Sequence, residues 1–189
     1  MTFLIGLLII LMMARETRAQ ETWHIGIMMG PTLAHVSDPD GSTDTQLHFF
    51  YLNFISTIPF GRDQRIFSQL FYDQCELDAS TSNIGQKVST SGGNVSWQYL
   101  WRLSRYWKPW IGGGVGFANS KFKSRHLLDA DGFLIRQFPG RSENILNLIV
   151  NASIPLTQWG RFQLGTHMQY EFPTGDGIHQ FLFGLTLLY

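Results

Sequence analysis

The chain is poor in several things, and each shortage excludes something. It holds one cysteine, Cys75, in 189 residues, so no disulfide can form within it. Cys75 reads as a small residue near a strand end, because no His and Asn set accompanies it as a catalytic thiol requires. Charge is scarce: Asp, Glu, Lys and Arg make up 15% of the residues, and 14 bases balance 14 acids. Soluble domains carry about 25%. A nucleic-acid binder would show a basic excess, and that class is set aside. Long apolar runs are also lacking. The longest is Phe3 to Met13, 11 residues, whereas a membrane helix needs about 20. No later stretch resembles one. If the rest of the chain lives in a membrane, closure into a barrel is the remaining way to satisfy every backbone group.

What is present is aromatic and alternating. Phe, Trp and Tyr make 14% of the chain, there are 19 Gly, and mean hydropathy is −0.04. A transmembrane barrel produces this mixture because lipid-facing and lumen-facing residues alternate and cancel in the mean. The Phe3–Met13 run fits the core of an export signal, and Thr17-Arg18-Ala19 offers small residues before a cut. Residues 1–19 are therefore read as a signal peptide and residues 20–189 as one barrel domain.

The hydrophobic period is two. From Arg161 to Phe172, Phe162, Leu164, Met168, Tyr170 and Phe172 share one face. Arg161, Gln163, Gly165, His167, Gln169 and Glu171 share the other. Similar alternation runs through Trp23–Gly30, Val95–Ser104, Ile111–Ala118, Leu146–Ile154 and Gln180–Tyr189. The strands expected are roughly 22–34, 45–59, 65–77, 94–107, 109–124, 141–155, 161–173 and 178–189. The fold class expected is all-β, a closed antiparallel up-and-down transmembrane barrel of about eight strands. Connections near 35–44, 78–93 and 125–140 are long. Those at 60–64, 108–109 and 157–160 are short, and this asymmetry marks outer-membrane barrels. Asp131-Gly132 reads as the tip of a hairpin projecting from the third long loop. Asp129, Asp131 and Gly132 fit a turn better than a calcium loop, for want of further acidic ligands. The short turns carry Phe60, Tyr106, Trp107, Trp110 and Trp159, an expected aromatic girdle at the membrane boundary. The competing fold, a soluble sandwich, would place more Lys and Glu on its polar faces.

Four features together resemble the small outer-membrane barrel superfamily of OmpA transmembrane domains, OmpX and the opacity proteins. They are the signal segment, Lys108-Pro109-Trp110-Ile111-Gly112-Gly113-Gly114-Val115-Gly116-Phe117, the short and long loop alternation, and Phe181-Leu182-Phe183-Gly184-Leu185-Thr186-Leu187-Leu188-Tyr189. The resemblance implies an outer-membrane location. It also implies that Tyr189, with alternate apolar residues before it, serves as the signal read by the barrel-assembly machinery. Fold likeness alone supplies no molecular function.

The polar set His24, Gln98, Arg102, Asn147, Asn151, Arg161, Gln163, His167, Gln169 and Glu171 is expected in the lumen, with Arg65 and Asp73 as further candidates and Arg102 and Glu171 as one candidate pair. An eight-stranded barrel is about wide enough for side chains to fill it, so these should plug it. A water-filled pore for ions or small solutes is the alternative. A lipid A-modifying enzyme is a further one, but no His is followed two residues on by Ser, the pairing such deacylases carry. No catalytic residue, cofactor or metal is expected. Lys121, Lys123, Arg125, Arg136 and Arg141 flank the third long loop and are candidates for contact with lipopolysaccharide phosphates. The role expected is structural or surface interaction, by a monomer in lipid and lipopolysaccharide, with loops available to a host or surface ligand.

Overall fold

The computed structural model describes residues 23–37, 43–77, 86–104, 107–175 and 178–189. The segment read as a signal peptide, 1–19, and Tyr106 lie outside the described residues. Among the described residues ten strands are present: β1 (His24–Ser37), β2 (Thr43–Pro59), β3 (Gln64–Leu77), β4 (Gln86–Leu100), β5 (Trp110–Phe122), β6 (Arg125–Leu128), β7 (Leu134–Phe138), β8 (Arg141–Trp159), β9 (Phe162–Pro173) and β10 (His179–Leu188). Eight of them close an antiparallel barrel in the order β1-β10-β9-β8-β5-β4-β3-β2. β6 and β7 form a separate two-stranded hairpin between β5 and β8. The expected eight-stranded barrel and the projecting hairpin are both present.

The seam closes between β10 and β1, where Tyr189 N donates to Ile25 O at 2.8 Å and Ile25 N donates to Tyr189 O at 3.1 Å. Two register shifts break the barrel ladders, between Gly30 and Thr32 and between Pro155 and Thr157. Each coincides with a proline, Pro31 or Pro155, which has no N–H to give to a ladder and is tolerated at bulges. Gly61 and Gly160 take positive φ, 93° and 60°, in two tight turns at one end of the barrel.

The chain is inside-out relative to a soluble domain. Phe54, Tyr72, Trp97, Val115, Leu148 and Leu185 are among the large apolar side chains exposed on the outer wall. The buried interior holds Asn53, Gln69, Asn94, Gln98, Asn151, His167, Gln169 and Glu171. Full burial of one Leu or Phe side chain gains about 1.5–3 kcal/mol in water. A ring of exposed apolar residues forgoes that gain many times over unless it faces hydrocarbon. The belt has a visible edge. On β5 and β8 the outward residues change from Phe117 and Leu146 to Asn119, Lys121, Ser142 and Asn144. There Asn119 Nδ2 donates to Asn144 Oδ1 at 2.7 Å and to Ser142 Oγ at 3.2 Å, a polar collar above the belt. Among the described residues no helix is long and apolar enough to cross a membrane.

Two expected boundaries are corrected. β4 begins at Gln86 rather than 94, so Ser89-Thr90-Ser91-Gly92-Gly93 is barrel wall and not loop. Small inward residues are required there: a Cβ on Gly92 would lie 2.6 Å from Cζ of Phe71, whose ring fills the space. β4 also ends at Leu100 rather than 107. The described residues between β4 and β5 lie outside strands, with Trp101 N donating to Pro109 O at 2.8 Å and Trp107 N donating to Ser104 Oγ at 2.9 Å.

Candidate functional site

The lumen is built by strand parity. On β9, Gly165, His167, Gln169 and Glu171 point inward and are buried. On β4 the inward set is Thr90, Gly92, Asn94, Ser96 and Gln98. β5 lies between β4 and β8, and its inward positions Gly112, Gly114 and Gly116 carry no side chain. A Cβ on Gly114 would fall 2.0 Å from Val95 O, and one on Gly116 would fall 2.0 Å from Asn94 Oδ1. The glycines thus leave a notch through which β4 reaches β8 directly. Gln98 Nε2 donates to Asn151 Oδ1 at 2.9 Å, and Asn151 Nδ2 donates to Ser96 Oγ at 2.7 Å.

Glu171 is the centre of the network. Its Oε1 accepts from Asn94 Nδ2 and Gln169 Nε2, both at 2.8 Å, and its Oε2 accepts from Asn147 Nδ2 at 2.8 Å. Asn94 is on β4 and Glu171 on β9, three strands apart in a ring of eight, so this bond crosses the bore. Beside it, Ser153 Oγ and His167 Nδ1 are 2.8 Å apart, and the His167 ring stacks on Phe67 at 4.5 Å. Opposite the polar half lies an apolar one, Met28, Ile55, Phe67, Phe71, Leu182 and Leu188.

Both mouths are narrowed. At the short-turn end Arg65 Nε donates to Gln98 Oε1 at 2.6 Å, and its guanidinium lies 4.3 Å from the Trp110 ring centroid. At the long-loop end Ala34, Val88, Phe122 and Ile178 form a buried apolar cluster, and the Arg141 guanidinium stacks on Phe122 at 4.2 Å.

The structure gathers some of the expected lumen set and disperses the rest. His167, Gln169 and Glu171 are together in the interior. Gln163 is half-buried at the short-turn mouth, lining a small open pocket of about 10 Å³ with Arg65, Trp110 and Ser153. Arg102 is not in the lumen. β4 has ended by then, and the exposed Arg102 donates to Asp63 Oδ1 at 2.5 Å, tying two short turns together. That bond and the adjacent negative charge hold its guanidinium above its ordinary pKa. The candidate pair Arg102–Glu171 is therefore replaced by Arg102–Asp63 and by the amide cradle of Glu171. Arg161 is also outside the lumen, exposed in the β8–β9 turn, with Nη1 donating to Tyr189 Oη at 3.4 Å.

Of the expected girdle, Phe60 and Trp107 are exposed between strands and Trp159 is exposed at the end of β8. Trp110 is corrected: it shares inward parity with Gly112 and stacks on Arg65 inside the mouth. The five loop cations divide likewise. Lys121, Lys123 and Arg136 are exposed, whereas Arg125 is buried with its guanidinium 4.5 Å from the Phe138 centroid. Arg141 Nε lies 2.6 Å from Glu143 Oε1. The hairpin tip is a pinned turn: Asp129 Oδ1 accepts from the N–H groups of Asp131 and Phe133, and Gly132 takes φ 86°. Among the described residues no group of three His, Cys, Asp or Glu is placed to hold a metal ion.

Gln98, Asn147 and Asn151 are in the lumen as the sequence suggests, whereas Asn94 and Ser153 were missed, and which of these meets which is decided by cross-strand register.

No protein-family model matches the chain, and no curated protein matches it in sequence. Solved structures do. Neisserial surface protein A aligns over 88% of this chain and 95% of its own, at TM-score 0.52 and 12% identity. The outer membrane protein OprG from Pseudomonas aeruginosa aligns over the same shares at TM-score 0.52 and 11% identity. This chain has the fold of the small outer-membrane barrels. Ail of Yersinia pestis, solved with the heparin analogue sucrose octasulfate, aligns over 89% of this chain and 100% of its own, at TM-score 0.49 and 13% identity. For an outer-membrane barrel the exposed apolar belt has its solvent, the hydrocarbon of the bilayer. In barrels of this kind short turns mark the periplasmic end and long loops the extracellular side.

Proposed function

We propose that this outer-membrane barrel is a plugged, non-conducting scaffold whose role is played at the cell surface, in envelope structure or adhesion, by what projects beyond the collar. The observation that carries this reading is the bond from Asn94 to Glu171 across the bore, continued by Gln98–Asn151 and Asn147–Glu171. A carboxyl group buried in this way is stable only when its hydrogen bonds are made, and Glu171 accepts three. Opening the bore would break the one from Asn94, which is three strands away. The narrow-channel alternative has the open pocket at the short-turn mouth on its side, but that pocket holds only about 10 Å³, and the Asn94–Glu171 bond crosses the bore beyond it. Ser153 and His167 have nucleophile–base spacing, yet both are buried, the ring is covered by Phe67, and Gln98 Nε2 also donates to Ser153 Oγ at 3.3 Å. That arrangement serves the plug and leaves an acyl chain no approach.

The exposed Lys121, Lys123 and Arg136 extend this reading to lipopolysaccharide, whose phosphates would accept charge-assisted hydrogen bonds at the collar. Arg125 and Arg141 act differently, stiffening the hairpin base through Phe138 and Phe122. Tyr189, paired with Ile25 at the seam, is the residue to which this reading gives the role of assembly signal. The test is planar-bilayer recording of the refolded protein. The reading expects a silent bilayer; reproducible ohmic steps would overturn it in favour of a channel.

A further inference from the structure

The first and last strands of the barrel meet at the β1–β10 seam, and at its long-loop end that ladder pairs His35 with His179. Two residues nearer the short turns, Leu33 is paired with Phe181 on the outer wall, each 41% exposed. Side chains alternate along a strand, so both imidazoles share that outer face, where the apolar belt ends. Directly opposed residues of an antiparallel pair hold their Cβ atoms about 4.5–5.5 Å apart. The two rings are held from opposite sides. His35 Nδ1 lies 2.8 Å from Thr45 Oγ1 on β2, and His179 Nδ1 lies 3.4 Å from Tyr170 Oη on β9. β2 and β9 flank the β1–β10 pair on its two sides. In an imidazole, Nε2 lies across the ring from Nδ1. With both Nδ1 atoms turned away from the seam, both Nε2 atoms are turned toward it. Each hydroxyl can accept, so each Nδ1 can keep its proton and leave Nε2 a lone pair. A ring oriented by a hydrogen bond from its other nitrogen is the usual state of a metal-ligating histidine. The ligand type selects the ion: imidazole suits Cu²⁺, Ni²⁺ and Zn²⁺, whereas Mg²⁺ and Ca²⁺ take oxygen.

We infer that His35 and His179 chelate a divalent transition-metal ion, Cu²⁺ most tightly, through their Nε2 atoms, and so clip the first strand of the barrel to the last. Water fills the remaining positions at this half-buried rim. The site stands on the seam alone and is independent of whether the bore conducts. The test uses the refolded chain in detergent with Cys75→Ser, which removes the one thiol that could bind or reduce the ion. Cu²⁺ is titrated in and followed by electron paramagnetic resonance. A tightest equivalent with coupling to two imidazole nitrogens is expected. Cu²⁺ or Zn²⁺, but not Mg²⁺, should raise the temperature at which the compact unheated gel band is lost, because the ion binds only the closed seam. His35→Gln and His179→Gln should each weaken that equivalent by about tenfold or more and remove the thermal shift. Thr45→Val keeps both ligands but frees the His35 ring, and should weaken it about tenfold. Each variant is first shown to give the heat-modifiable band without metal. Binding that neither His substitution alters would overturn the inference by placing the ion on another histidine. Loss with only one of the two would overturn the chelate, and so would a folded wild type that binds no Cu²⁺.

Discussion

Gly113 and Gly114 are neighbours on β5 with opposite orientations, and an added methyl group at each should have opposite consequences. At Gly114 a Cβ would meet Val95 O at 2.0 Å and the Ser96 Cα at 2.5 Å. Both are backbone atoms of β4, which is laddered to β3 on its other side, so they cannot rotate away. The strand must move by about 1 Å, and overpacking of this kind costs about 1–3 kcal/mol, here at the upper end. Alanine recovers about 0.5–1 kcal/mol through the unfolded chain, leaving a net loss of about 2 kcal/mol. At Gly113 the nearest atom is Ile149 O at 3.3 Å, so the steric cost is small and Gly113→Ala should fall within about 0.5 kcal/mol of wild type. Urea unfolding in detergent micelles, followed by tryptophan fluorescence, reads the difference. With a slope of about 2 kcal/mol/M, the midpoint of Gly114→Ala should drop by about 1 M. Equal midpoints would refute the close β4–β5 approach. A larger loss at Gly113 would mean that the strand is slipped by one residue and every side chain on it faces the other way.

Glu171→Leu strands three buried amide donors, those of Asn94, Asn147 and Gln169, and should cost about 3 kcal/mol or more in the same urea assay. Glu171→Gln should cost under about 1.5 kcal/mol, because Asn147 can turn its amide and offer Oδ1, which has no partner, to the new NH₂; equal losses would refute the amide-cradle account. Lys121→Gln, Lys123→Gln and Arg136→Gln together should weaken lipopolysaccharide retention in detergent and remove its salt dependence, with unchanged urea midpoints; unaltered retention would refute the phosphate contacts. Tyr189→Ser removes the ring that packs 5.1 Å from Phe162 and should slow assembly into bilayers, scored by the folded fraction over time on an unheated gel.

The alternation that makes the barrel is local, so it was legible. Apart from Thr166, the β9 residues from Phe162 to Phe172 announce their faces by type, and His167, Gln169 and Glu171 lie where parity puts them. Trp110 shows the limit of residue type as a guide. Its aromatic ring suggested a membrane boundary, but its parity with Gly112, Gly114 and Gly116 already placed it inside. Arg102 and Arg161 were assigned by extending strands past their true ends, and strand ends depend on turn hydrogen bonds that alternation does not encode. The first half of β4 was hidden because a lumen tolerates small polar residues, and Ser89–Gly93 therefore carries the composition of a loop. The contacts of the plug were not legible at all. Asn94 and Glu171 are 77 residues apart, and only the closed ring with its register brings them together.

The most direct test of the account is gel mobility of the refolded protein in detergent, with and without heating, beside its circular dichroism. A closed barrel with this belt should run as a compact, faster band unless heated, and should show a strand spectrum only when detergent or lipid is present. A band that heating does not shift, with folding in plain buffer, would contradict the membrane barrel and with it the assignment of the exposed apolar wall to lipid.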